Sequence, residues 1–171
     1  VTHVIVDISV TVIKKNAFSQ CLLLVSAIMG ERIEGWAFFN CIALRYIRLS
    51  KALEYIGWGA FLCCASLEAL FLPSTVKSIQ RYAFMFCRSL RLLILPDGID
   101  LNNIGEKNIH YTVISQFAEN SGVAYEYEED EHGYERVTEE SIRRVNEWVF
   151  HHMDEAPFHK LCYNSSITTK H

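Results

Sequence analysis

The sequence predicts an α/β repeat solenoid. It should hold about five rungs of 20–23 residues stacked as a parallel sheet, then a C-terminal cap and a helical extension. Three observations carry this. One nine-residue frame recurs along the first half of the chain. A second frame of spaced leucines follows it. The later copies keep a fixed period.

The first frame is Ile-x-x-x-Ala-Phe-x-x-Cys. It occurs at Ile13/Ala17/Phe18/Cys21, Ile33/Ala37/Phe38/Cys41, Ile56/Ala60/Phe61/Cys64 and Ile79/Ala83/Phe84/Cys87. The second is Leu-x-x-Leu-x-Leu, at Leu44/Ile47/Leu49, Leu67/Leu70/Leu72 and Leu90/Leu93/Leu95, and Val1/Val4/Val6 fits it. An apolar residue four positions on leads into the next frame isoleucine: Val10 to Ile13, Leu53 to Ile56, Val76 to Ile79. Cys41, Cys64 and Cys87 are 23 residues apart, but Cys21 and Cys41 only 20, so the second rung lacks three residues between Met29 and Ile33. The fifth rung reads as degenerate. Ile99 and Ile104 stand two residues too far apart, and Asn108-Ile109 replaces Ala-Phe.

Alternating leucines point to one face of a short strand. Stacked rungs lay these strands side by side, roughly 4.8 Å apart. The Ala-Phe-x-x-Cys part has helix-like spacing and should return the chain, with Ala allowing close approach and Phe filling the interior. One rung cannot bury its apolar edge alone; a stack can. Pro73 and Pro96 each come just after a leucine strand, Leu67/Leu70/Leu72 and Leu90/Leu93/Leu95, and should end it. Trp36, Trp58 and Tyr82 precede the frame's Ala and should pack rung to rung. Tyr55 and Ser78 form another column.

These frames resemble the BspA-type leucine-rich repeat family, with its Ile-Gly-x-x-Ala-Phe-x-x-Cys-x-x-Leu-x-x-Ile-x-Leu-Pro unit, over residues 1–110. The resemblance implies a leucine-rich-repeat solenoid that binds a protein partner. It continues into Ser115–Glu126, which looks like the short helix and strand that close such arrays. Ile114, Phe117 and Ala118 share one helical face, and Gly122 is placed to cap it. Residues 1–125 are therefore expected to form the solenoid with its cap.

Composition then changes. Residues 1–122 hold 11 basic and 9 acidic side chains, a balance of +2; residues 123–171 hold 5 and 11, a balance of −6. Residues 126–137, with the run Glu126-Tyr-Glu-Glu-Asp-Glu131, read as an acidic, solvated linker. Residues 138–171 read as a helical extension. Thr138 is the candidate N-cap, Glu139 and Glu140 suit the first turn, and His151 and His152 the last. Ile142, Val145, Trp148 and Val149 form an apolar stripe that should dock on neighbouring chain. Ala156-Pro-Phe-His159-Lys-Leu-Cys162 resembles the Thr-Pro-Leu-His-x-Ala opening of an ankyrin repeat, departing at Ala156.

Composition excludes several function classes. Half the chain is apolar and the net charge is −4, so no overall basic field invites nucleic acid or an anionic membrane. The apolar run Cys21–Gly30 is too short to span a bilayer. The chain begins at Val1 without a Met or a charged lead into an apolar core. No signal peptide is read, and a fragment lacking its natural start is expected, monomeric or part of a longer chain. Free thiols favour an intracellular setting; a cell-surface adhesin or receptor is the alternative.

No cofactor and no metal are expected. The frame cysteines should stack in the core as inert small apolar groups. His151, His152, His159 and Cys162 could chelate, but a second ligand pair is missing, and neither an orienting group nor an oxyanion hole accompanies them. No phosphate loop, dinucleotide fingerprint or zincin helix is present, so the chain reads as no enzyme. A solenoid chooses partners through the residues between its core leucines. These are the columns Arg45/Glu68/Arg91, Tyr46/Ala69/Leu92 and Arg48/Phe71/Ile94. They predict an apolar patch of Phe71, Leu92 and Ile94 rimmed by Arg45, Arg48, Glu68 and Arg91, with Tyr46 beside it. Either this patch is exposed to a protein partner or the C-terminal helix covers it and the chain is a spacer.

Overall fold

The computed structural model describes residues 2–153 apart from Ile8 and Met29. The ankyrin-like segment, His159 and Cys162 lie outside the described residues.

Each rung runs strand, strand, turn. The strand pairs are β1 (His3–Ile5) with β2 (Val12–Ile13), β3 (Ser26–Ile28) with β4 (Arg32–Ile33), β5 (Tyr46–Arg48) with β6 (Tyr55–Ile56), and β7 (Ala69–Phe71) with β8 (Ser78–Ile79). The fifth rung contributes β9 (Leu92–Ile94). Strands β2, β4, β6 and β8 form one parallel ladder in the register Ile13↔Ile33↔Ile56↔Ile79, and a single bridge extends it to Ile104. On the other side, β1-β3-β5 and β7-β9 form separate parallel ladders, so pairing breaks between β5 and β7.

The return segment is a chain of tight turns, not the helix its spacing suggested. Two residues per rung adopt left-handed backbone: Asn16 and Gln20, Trp36 and Asn40, Gly59 and Cys63, Tyr82 and Phe86, Lys107 and Tyr111, with φ between 53° and 64°. Each such residue stops a helix from propagating. Hydrogen bonds then alternate. Ala17, Ser19 and Cys21 donate back within their rung, to Lys14, Asn16 and Phe18. Asn16, Phe18 and Gln20 donate up to Gly35, Ala37 and Phe39 of the next rung, and the pattern repeats along the stack. Left-handed backbone is costly for residues other than glycine, and these rung-to-rung hydrogen bonds offset it.

The frame residues fill the core. Phe38, Phe61 and Phe84 are fully buried and, with Phe18, form a continuous stack with ring centroids 5.1, 5.3 and 5.7 Å apart. Trp36 and Trp58 pack at 4.3 Å, and Trp58 meets Tyr82 edge-on at 5.4 Å. Trp58 stands one residue earlier than its partners, because Gly59 takes the left-handed position.

The fifth rung is more regular than its sequence suggested. The two extra residues are absorbed by a short 3₁₀ turn, Leu101–Asn103, capped by Asp100. Beyond it Ile104, Asn108, Ile109 and Thr112 take the places of Ile, Ala, Phe and Cys. Asn108 is buried; its Oδ1 accepts from the Ala83 amide at 2.7 Å and its Nδ2 donates to the Gly105 carbonyl at 2.7 Å. Thr112 caps helix α1 (Val113–Asn120) in a capping box with Ser115. Gly122 (φ +79°) ends α1: its amide donates to Glu119 and that of Val123 to Ala118, the paired bonds of a Schellman motif. Ile114 and Ala118 are buried on the solenoid, but Phe117, expected on the same face, is half exposed. Buried Ser115, the neighbour of Ile114, takes part of the contact face instead.

The segment expected as a linker is an antiparallel hairpin, β10 (Tyr127–Glu129) with β11 (Glu135–Val137). Asp130 organises its turn: the carboxylate accepts from the amides of His132 and Tyr134 and pairs with Arg136 at 2.9 Å. Helix α2 (Glu139–His152) starts at the Thr138 cap as expected. It packs on β9, the 3₁₀ turn and α1, burying Val145 and Val149, with Trp148 partly covered. Asn146 fixes its register by donating to the Ile104 carbonyl at 3.1 Å.

Candidate protein-interaction surface

The outward columns lie on the β1-β3-β5 and β7-β9 side. Strand register aligns His3, Ser26 and Tyr46, then Ala69 and Leu92; the next column runs Ile5, Ile28 and Arg48, then Phe71 and Ile94. Tyr46 is 62% exposed and Phe71 46%. Leu92 is only 5% exposed and Ile94 partly buried, because α2 lies against β9. The helix lies against the last rung, while Tyr46 and Phe71 of rungs three and four keep exposed surface. Leu92 thereby drops out of the exposed set.

Charged side chains bridge the break between β5 and β7. Arg45 Nη2 donates to Glu68 Oε1 at 2.8 Å, and Arg91 donates to Glu68 Oε2. These bonds, from Arg45 first and then Arg91, hold the Glu68 carboxyl below the usual carboxylate range. The Arg45 guanidinium also lies over the Tyr46 ring, 5.7 Å from its centroid. Arg48 is exposed and makes no ion pair among the described residues. Ile5, which is 80% exposed, and the His3–Ser26 hydrogen bond of 2.8 Å extend the columns into the first two rungs. Reading the columns from the leucine frame alone missed them, although they occupy the same positions.

The buried thiols are aimed at backbone: Cys41 Sγ donates to the Phe18 carbonyl at 3.0 Å, Cys64 to Phe38 at 3.1 Å and Cys87 to Phe61 at 3.1 Å. Burial, reinforced by the neighbouring Cys64, pushes the Cys41 thiol up to about 12, and burial lifts Cys64 well above the usual thiol range. His151 and His152 sit at the exposed end of α2. Among the described residues no group of three or more His, Cys, Asp or Glu is arranged to hold a metal ion.

Alkylation and alkaline unfolding test the thiol column. Iodoacetamide at pH 8 should leave Cys41, Cys64 and Cys87 unmodified in the native protein, as read by peptide mapping, while half-buried Cys21 and Cys63 react slowly. An unfolded thiol loses its proton near pH 8.5, about the free-cysteine value. Folded Cys41 holds its proton to about 12. Between those values the unfolded chain binds fewer protons, so stability should fall as pH rises. A flat urea midpoint from pH 8 to 11 would contradict this.

Short parallel rungs with a continuous interior and an outward side-chain face define a repeat scaffold. The chain belongs to the BspA type leucine-rich repeat family, whose repeat region matches residues 11–127 in six copies. It is also similar to a leucine-rich repeat protein of known crystal structure from Bacteroides ovatus, with a TM-score of 0.57 and 24% identity. That match covers 65% of this chain and 35% of the other, so this chain spans about a third of its structural relative and shares its fold. No curated protein matches the chain significantly. Among the described residues no helix is long and apolar enough to cross a membrane.

Proposed function

We propose that the chain is a non-catalytic protein-interaction module that engages a protein partner through the face formed by β5 and β7. One observation carries this reading: Tyr46 (62% exposed) and Phe71 (46% exposed) lie beside Arg45, Arg48 and Arg91 on a stacked scaffold. Aromatic and Arg side chains on a rigid support are what interface hot spots are made of. Family membership supports a scaffold role. The five free cysteines among the described residues support a reducing, intracellular setting.

The test is affinity capture with the parent chain beside a Tyr46→Glu/Phe71→Glu double variant shown by circular dichroism to be folded. Both positions are exposed, so the variant should keep its fold. A partner retained by the parent and lost by the variant is the expected result. Equal retention, or no partner for either, would overturn the assignment.

A further inference from the structure

We propose that His110 is an acid-sensitive latch on the C-terminal cap: protonation of its ring loosens the contact between the fifth-rung turn and the segment that leads into β10. This device is separate from the partner-binding face and does not depend on it.

His110 belongs to the turn of the fifth rung, one residue before left-handed Tyr111. Its backbone is fixed on both sides. The amide donates to the Lys107 carbonyl at 3.3 Å, and the carbonyl accepts from the Phe86 amide at 3.0 Å. The ring lies 4.0 Å from that of Tyr111 and meets the Tyr125 ring edge-on at 5.7 Å. Tyr111 is itself stacked on Phe86 at 4.6 Å. The fourth rung, the fifth rung and the cap therefore meet around one imidazole. Its Nδ1 is buried and has no hydrogen-bond partner. A neutral ring can leave that nitrogen as a bare acceptor. A protonated ring places an N–H there with no acceptor, together with a full charge, and that is the costlier state.

The surrounding charges act in the same direction on balance. Lys107, held over the Tyr127 ring 4.9 Å from its centroid, repels a second cation, and Glu119 of α1 attracts one. The other titratable neighbours are the phenols of Tyr111 and Tyr125, uncharged in acid. Burial first, then Lys107, holds the His110 imidazole below the usual histidine range, and Glu119 opposes them in part. Burial also lifts the Tyr125 hydroxyl above the usual tyrosine range, so the contact is dry on both sides. An unfolded histidine takes its proton near pH 6.5, about the free-histidine value. Folded His110 takes it lower. Between the two the unfolded chain binds more protons, so acid withdraws stability from this junction. With its backbone held, the charged ring reaches water by rotating out, and Tyr125 loses its cover. His3, His132, His151 and His152 are exposed, so among the described histidines His110 alone is enclosed.

NMR titration of the full chain, followed at the imidazole Cε1–H signals, tests this. His110 should titrate below pH 6.5. Lys107→Gln should raise its midpoint, and Glu119→Gln should lower it further. Amide exchange, corrected for the intrinsic rate, reads the latch itself. Protection of the Val123 and Thr138 amides should fall between pH 7.5 and pH 5.5 in the parent and stay level in His110→Phe, which keeps a ring in place. A His110 midpoint at or above 6.5, as attraction of an imidazolium to the two tyrosine rings would produce, overturns the proposal. So does protection that holds in the parent, or that falls equally in His110→Phe. Should that variant fail to fold, the titrations of the parent and the two charge variants decide alone.

Discussion

Phe61→Ala is expected to cost about 3–5 kcal/mol of folding stability, the range for deleting a large buried aromatic. Phe61 is fully buried between Phe38 at 5.3 Å and Phe84 at 5.7 Å. Each ring is anchored by its own rung's turn, so the neighbours cannot close the gap without dragging backbone. A loss of this size is a large share of the 5–15 kcal/mol typical of a domain. Phe18→Ala supplies the internal comparison. Phe18 ends the same stack, touches one ring at 5.1 Å and is only partly buried, so its loss should cost about 1–2 kcal/mol. Urea denaturation followed by circular dichroism reads both. Equal costs for the two variants would mean that the rings do not form one stacked core.

Gly57→Ala should be nearly as damaging, for a different reason. A Cβ at Gly57 would stand 2.5 Å from the Gly35 amide nitrogen and 2.6 Å from the Glu34 carbonyl carbon. Both are backbone atoms of the rung below, which cannot turn aside as a side chain can. The rungs would have to part where Gly57 donates to the Ile33 carbonyl at 2.8 Å. We expect a cost of about 3 kcal/mol, the upper end for overpacking. Gly98→Ala is the control. Its φ of +78° strains an alanine, but nothing lies within 4 Å, so about 1 kcal/mol is expected. A smaller loss at Gly57 than at Gly98 would show that the rungs are not in close contact there.

The stack was legible because one rule, burial, acts on the same positions in every rung. Ile33, Ile56 and Ile79, or Phe38, Phe61 and Phe84, must be apolar wherever they recur. The limits of α2 were legible too, since Thr138 and the flanking glutamates act locally. The left-handed turn residues were not. Asn16, Gln20, Trp36, Cys63 and Phe86 share a backbone conformation but no side-chain type, because pairing with the next rung imposes it. The hairpin was hidden by its charges: Glu128, Glu129 and Glu135 mask the alternation that would mark a strand, and Val137 alone is buried. The surface columns could be named, but not which rung α2 lies against. Tyr46 and Leu92 occupy equivalent positions, and the docking of α2 against β9 separates them.

The alternating bonds of the turns give the stack a sense of direction. In rungs two to four the carbonyls equivalent to Lys15, Ala17 and Ser19 accept amides from the rung before, as Gly35, Ala37 and Phe39 do, and in the fifth Glu106 and His110 do so. In the first rung no described amide reaches those three carbonyls. That rim of the turns is therefore wholly acceptor, while the opposite rim of any turn is wholly donor. Two rims of the same kind repel, and unlike rims match only in parallel orientation. The turn column thus behaves as a filament with a plus and a minus end, on which a further unit of this frame can seat in one orientation alone.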